Sequence, residues 1–341
     1  MSAIDDFVER HHGLAELSVA ERRLAIRHLV PAPPGDGGEL IATIADALDG
    51  YGPLSDVMQD PSISDVLVNG AQDVWVEKGG VLTPTGIRFE EASLHRLVRR
   101  LAAEAGCRLD ATSPVGDGRL ADGSRFHAVL PPVTSEPVIS IRRFPSKSLD
   151  VGDLIAAGTL TRHQADLLVA HVESHSTICI SGRTGAGKTT LLNALLGCLP
   201  DHERVITIEE TRELRPGCHH AVAMVTRQAN VEGLGTIDAA TLLRAALRMR
   251  PDRIVVGEVR GPEAMVALGA MSTGHEGSLI TIHARSAADA VDRMVTLAMQ
   301  DPLAPREAAL RAQVTRAFEV LVHVDRTDGG ERRVVEIVER C

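Results

Sequence analysis

One loop constrains the fold of this chain more than any other part of its sequence. Residues 181–190 read SGRTGAGKTT and carry the pattern Gly-x4-Gly-Lys-Thr. The glycines allow successive backbone N–H groups to turn toward a polyphosphate without a Cβ in the way. An apolar segment typical of a buried strand precedes the loop at 177–180, and an apolar helical pattern follows it at 191–196. This order predicts a phosphate-binding loop at the N-terminus of a helix, where an anion is stabilised.

The loop also supplies the predicted ligands of a nucleotide and of Mg²⁺. Lys188 is expected to reach the β- and γ-phosphates, and the hydroxyl of Thr189 is expected to bind Mg²⁺. The chain has only three lysines, Lys78, Lys147 and Lys188, and its other strongly basic side chains are arginines. A lysine at this position therefore indicates that lysine is required there. The other nucleotide-binding residues predicted in the loop are Gly182, Thr184, Gly185, Ala186, Gly187 and Thr190.

The distribution of apolar residues predicts an α/β protein with two folded domains. Residues 1–50 are expected to form a helical extension, interrupted by a segment rich in proline and glycine at 31–38. Residues 51–145 predict a smaller α/β domain with two hairpins, a helix at about 91–105 and a strand at 138–142. Residues 146–341 form the domain that contains the loop. There, apolar runs alternate with helical patterns, which is typical of a mostly parallel sheet covered by helices, and the last two runs predict a hairpin.

Composition argues against several other classes of protein. Hydrophobic residues make up 44% and charged residues 24%, as in ordinary globular proteins. No apolar run approaches the roughly 20 residues of a membrane helix, and the acidic first residues do not resemble a signal peptide. The five cysteines form no C-x-x-C pair, so neither a zinc site nor a disulfide framework is predicted. The net charge is −10 and neither half is basic, which argues against a nucleic-acid partner. A cytoplasmic location is therefore expected.

Further candidate residues lie where other apolar strands end. Glu258 ends the strand at 254–258, where an enzyme with this loop directs an acid at Mg²⁺ or at the attacking water. Glu209 and Glu213 follow the strand at 205–208 and are both candidates for the carboxylate that activates water, although a solvated charged turn explains this segment equally well by itself. His283 follows the strand at 279–282, where a parallel sheet usually places ligand groups, and is predicted to contact the γ-phosphate.

Four segments together resemble one protein family. They read GRTGAGKTT at 182–190, TIEETRE at 207–213, LRMRPDRIVVGEVRG at 247–261 and STGHEGSLITIHA at 272–284. They are similar, in this order, to the Walker A, Asp-box, Walker B and His-box signatures of the type II/type IV secretion ATPases. Two upstream segments, GDGRLADGSR at 116–125 and ISIRRF at 139–144, resemble the tight-adherence (Tad) pilus assembly branch. The chain departs from the family in having Glu-Glu in the Asp box, Gly257 where Asp is usual, and no tetracysteine zinc element.

The resemblance implies a RecA-like C-terminal domain and a hexameric ring that binds ATP and Mg²⁺. The resemblance also implies that Arg119 and Arg125 bind the nucleotide and that Arg142 acts in catalysis. The planar guanidinium group matches the geometry of phosphate oxygens. The expected activity is ATP hydrolysis that drives pilus assembly or protein secretion through platform proteins of the inner membrane, with the ATPase held at its inner face by those partners. Two alternatives are a conjugation or effector-export ATPase of type IV secretion and a nucleotide-binding regulator that hydrolyses nothing.

Overall fold

The computed structural model describes residues 25, 26, 29, 50–144, 148–227, 234–327 and 330–340. These residues belong to two compact units, Met1–Ser146 and Lys147–Cys341. The predicted helical extension at 1–50 falls almost entirely outside the described residues. Within the described ranges, no helix is long and apolar enough to cross a membrane.

The first unit is built on a six-stranded sheet in which every pair of neighbouring strands is antiparallel. Its elements are the 3-10 turn Gly52–Leu54, α1 (Ser55–Gln59), β1 (Ile63–Asn69), β2 (Val74–Lys78), β3 (Val81–Pro84), α2 (Glu91–Glu104), β4 (Val115–Arg119), β5 (Arg125–Val129) and β6 (Val138–Arg142). The strand order is β3-β2-β1-β6-β5-β4. Both predicted hairpins, the helix near 91–105 and the strand at 138–142 are therefore confirmed.

Helix α2 packs on this sheet through one apolar face. Leu94, Leu97, Val98 and Leu101 recur at three- and four-residue spacing and are all buried. They share a core with alternating strand residues such as Phe126, Ile139 and Ile141. Burying each such side chain contributes about 1.5–3 kcal/mol. Contact between the end of α2 and β4 also requires a glycine, because a Cβ on Gly118 would lie 2.6 Å from the carbonyl oxygen of Ala105.

The second unit has a seven-stranded sheet with the order β13-β12-β7-β11-β10-β8-β9. Its strands are β7 (Ile178–Gly182), β8 (Val205–Glu209), β9 (Ala221–Val225), β10 (Arg253–Val259), β11 (Leu279–Ile282), β12 (Val320–Arg326) and β13 (Arg332–Glu339). Its helices are α3 (Val151–Ala156), α4 (Arg162–Glu173), α5 (Lys188–Leu196), α6 (Ala239–Ala246), α7 (Glu263–Met271), α8 (Ala287–Ala298) and α9 (Glu307–Ala317). Every neighbouring pair is parallel except the terminal hairpin β12–β13.

Helices cover both faces of this sheet. Alternating residues of β7 show the arrangement, since Ile178 and Ile180 join the core beneath α3, α4 and α5, whereas Cys179 joins the core beneath α6 to α9. The predicted parallel sheet covered by helices is therefore confirmed. Asp238 caps the first turn of α6 by accepting from Thr241 N at 2.7 Å, and the regular helix ends at Ala246, ahead of Pro251.

The strand order determines which loops meet. Because β7, β11, β10 and β8 are parallel neighbours, their carboxyl ends lie side by side at one edge of the sheet. The phosphate-binding loop follows β7, and His283 follows β11. Glu258 lies near the end of β10, and Glu209 is the last residue of β8. Four segments that are distant in the sequence therefore contribute to one site.

Candidate active site

The backbone of the loop has the shape that its glycines were predicted to permit. Gly185 and Gly187 have φ angles of +72° and +102°, which other residues rarely adopt. Gly187 is the N-cap of α5 and has no side chain with which to cap it, so the first N–H groups of the helix point into the loop. A Cβ on Gly182 would lie 2.3 Å from the carbonyl oxygen of Val324, so only glycine fits between β7 and β12. These features suit the binding of a phosphate.

Lys188 is the buried cation of this loop. Its side chain is buried, and Nζ donates to the carbonyl oxygens of Gly182 and Arg183 at 3.0 and 3.1 Å and to Nδ1 of His283 at 3.3 Å. Burial lowers the pKa of Lys188, and the nearby negative charge of Glu258 opposes that shift. None of the three atoms that accept from Nζ carries a formal charge, so a bound phosphate would give this ammonium group a counter-charge in direct contact.

His283 connects Lys188 to Glu258. Its Nδ1 accepts from Lys188, and its Nε2 lies 2.8 Å from Oε1 of Glu258. This pairing assigns the proton of the neutral imidazole to Nε2. Burial first, and then the positive charge of Lys188, lower the pKa of His283, while Glu258 partly counteracts them. The ring is therefore a neutral bridge between an ammonium group and a carboxylate.

Glu258 is held as a carboxylate by Arg260, which was not among the residues predicted from the sequence. Arg260 donates from Nε and Nη2 to the two oxygens of Glu258 at 2.7 and 3.0 Å, and from Nη1 to Glu210. Burial raises the pKa of Glu258, but the hydrogen bonds and charge of Arg260 together with His283 and Lys188 bring it below its usual value. The sequence does contain a signal for this contact. Arg260 follows Glu258 by two residues, and side chains two residues apart in an extended segment lie on the same side.

Glu209 and Glu213 occupy different environments. Glu209 is 5% exposed, and its Oε1 accepts from the backbone N–H groups of Glu213 and Leu214, both at 2.7 Å. Thr207 donates to its other oxygen at 3.3 Å. Glu209 therefore holds the turn that follows β8, whereas the side chain of Glu213 is only half-buried at that turn.

The helix that begins with Lys188 also holds this turn. Asn193 of α5 donates from Nδ2 to the carbonyl oxygen of Glu213 at 3.0 Å, and its Oδ1 accepts from Arg215 N at 2.8 Å. This role of Asn193 has no signal in the sequence, because Asn193 lies within an apolar helical run and its partners are 20 and 22 residues away. The contact joins the phosphate-binding helix directly to the turn that carries Glu213.

The remaining loop residues surround the same point. Thr184 and Gly185 are exposed, Ala186 is buried, and Thr189 and Thr190 are half-buried in the first turn of α5. Beside the loop lies an open cleft of about 500 Å³, lined by Arg183, Thr184, His283 and residues of α8. Thr189 and Glu258 remain the predicted metal ligands, and their hydroxyl and carboxylate oxygens are donors that Mg²⁺ prefers.

In the first unit, the three predicted arginines lie in one row across neighbouring strands. Arg119 is opposite Arg125, and Arg125 is opposite Arg142. Like charges in directly opposed positions destabilise a sheet unless negative charge lies nearby. Asp65 is opposite Arg142, with 4.0 Å between the side chains, and Asp117 is 3.8 Å from Arg125. This arginine row (Arg119, Arg125 and Arg142) is a concentration of positive charge suited to phosphate oxygens.

The sequence is similar to a known protein family over most of its length. Residues 47–323 match the family model of type II/IV secretion system proteins. The chain belongs to this family. A putative conjugal transfer protein of Mycobacterium tuberculosis is 42% identical over 298 residues, which cover 85% of this chain and 84% of that protein. The conjugal transfer protein TrbB of Rhizobium radiobacter is 30% identical over 311 residues, which cover 88% and 90%.

The fold of this secretion-family chain is shared with a solved motor protein. The crystal structure of the pilus retraction motor PilT with bound ADP matches with a TM-score of 0.59 and 20% identity, covering 84% of this chain and 82% of that one. The predicted α/β fold, with a RecA-like C-terminal domain after a smaller α/β domain, is thereby confirmed.

Packing gives a physical reason for the departure of this secretion-family chain at position 257. A Cβ on Gly257 would lie 3.2 Å from Cγ of the neighbouring Glu209. The missing side chain therefore leaves room for Glu209 to reach the backbone of the turn that it holds. A larger residue at 257 would press on Glu209.

Proposed function

We propose that the chain is an ATPase whose hydrolysis cycle drives a type II/IV secretion or pilus assembly machine. The observation that carries this proposal is the connected series Lys188–His283–Glu258, which links a phosphate-binding loop to a carboxylate through one neutral histidine. A group that binds only phosphate does not require a carboxylate so near. A hydrolase needs both a cation for the γ-phosphate and an acid near the attacking water.

Each of these residues has a distinct role in the proposal. Lys188 and the loop N–H groups bind the phosphates, and Thr189 with Glu258 would hold Mg²⁺, which neutralises charge on the phosphate oxygens. His283 contacts both Lys188 and Glu258, so loss of the γ-phosphate would change the surroundings of its ring and of strand β11. The arginine row supplies further cations for the nucleotide, with Arg142 acting on the transferred charge.

Glu213 is the better candidate for the residue that activates water. Glu209 already accepts two backbone hydrogen bonds and is buried, so its carboxylate is committed to holding the turn. Glu213 is half-buried, and Asn193 of the phosphate-binding helix holds its backbone. A general base must lie within hydrogen-bond reach of its water, and the half-buried position of Glu213 at this turn leaves its side chain partly accessible to water.

Alanine at these two positions is expected to separate their roles. Glu209→Ala leaves two buried N–H groups without their acceptor and should lower the free energy of unfolding by about 1–3 kcal/mol. Glu213→Ala should change that free energy by less than about 0.5 kcal/mol and lower ATP turnover about 100-fold. Urea denaturation and phosphate release measure the two effects. Equal stability of the two variants, or full turnover in Glu213→Ala, would contradict the assignment.

We propose further that the working form is a hexamer that acts on a platform of inner-membrane proteins. A closed ring of heterologous contacts gives each subunit a neighbour to which its motion is transmitted. Mass photometry with Mg²⁺ and a non-hydrolysable ATP analogue is expected to show a species of six subunits. A protein that stays monomeric at micromolar concentration and still turns over at full rate per subunit would contradict the ring.

Two kinds of cargo fit the same chemistry. The sequence segments at 116–125 and 139–144 favour pilus assembly of the tight-adherence type. The names of the relatives, which describe conjugal transfer, favour a type IV secretion system that exports DNA or effectors. Deletion of the gene in the source organism distinguishes them, since the first proposal predicts loss of surface pili and the second predicts loss of transfer with pili of this type retained.

A further inference from the structure

The terminal hairpin β12–β13 forms one wall of the phosphate-binding loop. The carbonyl of Val324 lies directly behind Gly182, where it leaves no room for a Cβ. From the next strand, Arg332 extends over the loop, and its Nε donates to the carbonyl oxygen of Gly185 at 3.2 Å. Its Cδ lies 3.2 Å from the position that a Cβ on Gly187 would occupy. An exposed arginine therefore crosses the loop at Gly185 and Gly187.

The position of the hairpin determines which part of a nucleotide this arginine can meet. In the sheet, β7 lies between β12 on one side and β11 followed by β10 on the other. His283 and Glu258, which are proposed to face the γ-phosphate, belong to the second side. Arg332 approaches from the first side. A nucleotide with its γ-phosphate at Lys188 and His283 would therefore present its other phosphates to the hairpin.

We propose that Arg332 is a nucleotide-binding residue that contacts the α- and β-phosphates. Its planar guanidinium group matches the geometry of phosphate oxygens, and its stem already rests on the glycines that shape the loop. The contact deepens the proposed ATPase function and rests on it. Because ADP and ATP share these two phosphates, Arg332 contributes equally to the affinity for both, whereas His283 responds to the third phosphate.

Two substitutions separate the charge of Arg332 from its hydrogen bond to the loop. In Arg332→Gln the side-chain amide nitrogen stands at the same bond position as Nε, so the bond to Gly185 is kept and the charge is lost. In Arg332→Lys the charge is kept and that donor is lost. The neighbouring Arg333 is the matched control, because it points to the opposite face of β13 and pairs with Glu331 at 2.7 Å.

The test is calorimetric titration of the full chain with ADP and with a non-hydrolysable ATP analogue. We expect Arg332→Gln to weaken both ligands by the same factor, about tenfold, and Arg332→Lys to weaken them less. Arg333→Gln should bind as the wild type does. Melting temperatures without nucleotide should agree among the three variants, because Arg332 and Arg333 are both exposed.

Three outcomes would overturn the inference. Unchanged ADP affinity in Arg332→Gln would show that the charge of Arg332 does not contribute to nucleotide binding. A larger loss for the ATP analogue than for ADP would place the contact at the γ-phosphate. Weaker binding in Arg332→Lys than in Arg332→Gln would show that the hydrogen bond, not the charge, is what matters. Failure of the proposed ATPase function gives a different result, because the wild-type chain would then bind neither nucleotide.

Discussion

Replacing Lys188 by alanine is expected to lower ATP hydrolysis at least about 100-fold while the chain stays folded. Lys188 is the buried cation of the phosphate-binding loop, and the charge that it would offer the γ-phosphate is needed most as negative charge shifts during transfer. The substitution also removes donors to two loop carbonyls and to His283. We therefore expect weaker ATP binding as well. Phosphate release and nucleotide titration measure the two effects.

Lys78 provides the control for this substitution. It is one of the other two lysines of the chain, its side chain is 60% exposed, and it pairs with Asp60 at the surface. Lys78→Ala should leave turnover within twofold, because an exposed ion pair contributes about 0–1 kcal/mol to stability and lies outside the proposed site. Undiminished turnover in Lys188→Ala would remove the basis for assigning ATP hydrolysis to this loop.

The second large effect is expected at Glu258. Glu258→Gln removes the charge but keeps the shape, so the variant should bind ATP nearly as well as the wild type and hydrolyse it about 100-fold more slowly. The carboxylate lies 2.8 Å from Nε2 of His283 and is held ionised by Arg260. The neutral amide that replaces it cannot balance the charge of a metal ion as a carboxylate does. Single-turnover kinetics separate binding from the chemical step.

Glu210 gives a matched control for Glu258. Both carboxylates pair with Arg260, but Glu210 is half-exposed and makes no contact with His283 among the described residues. Glu210→Gln removes one partner of Arg260 and leaves Glu258 intact, so turnover should fall by less than threefold. If Glu210→Gln slows hydrolysis as strongly as Glu258→Gln, the effect comes from a loosened Arg260 and not from the carboxylate at 258.

Much of the fold could be predicted from the sequence because its signals are local. The apolar runs that became β7, β8, β10 and β11 are short, continuous and bounded by polar residues, as buried parallel strands require. The loop pattern fixed the position of α5, and the neighbouring strand ends brought Lys188, His283 and Glu258 together. Each of these predictions rests on a spacing or pattern within about ten residues.

The contacts that the sequence did not predict are those between distant segments. Arg332 reaches Gly185 across 147 residues, and Asn193 reaches Glu213 across 20. Glu209 and Glu213 were equivalent in the sequence, since both follow the same strand. Only the packing of β8 against β10 buries Glu209, because Gly257 leaves the space that it fills. These long-range contacts and the burial of Glu209 depend on residues that are close in space but distant in sequence, so they leave no periodic pattern in the sequence.

The measurement that tests the central claim most directly is release of inorganic phosphate from ATP by the purified wild-type chain. It should be made with and without Mg²⁺, over protein concentrations at which subunits begin to associate. We expect Mg²⁺-dependent turnover that is sustained over many cycles. Binding of ATP without release of phosphate at any concentration would contradict the account and would identify the chain as a nucleotide-binding regulator.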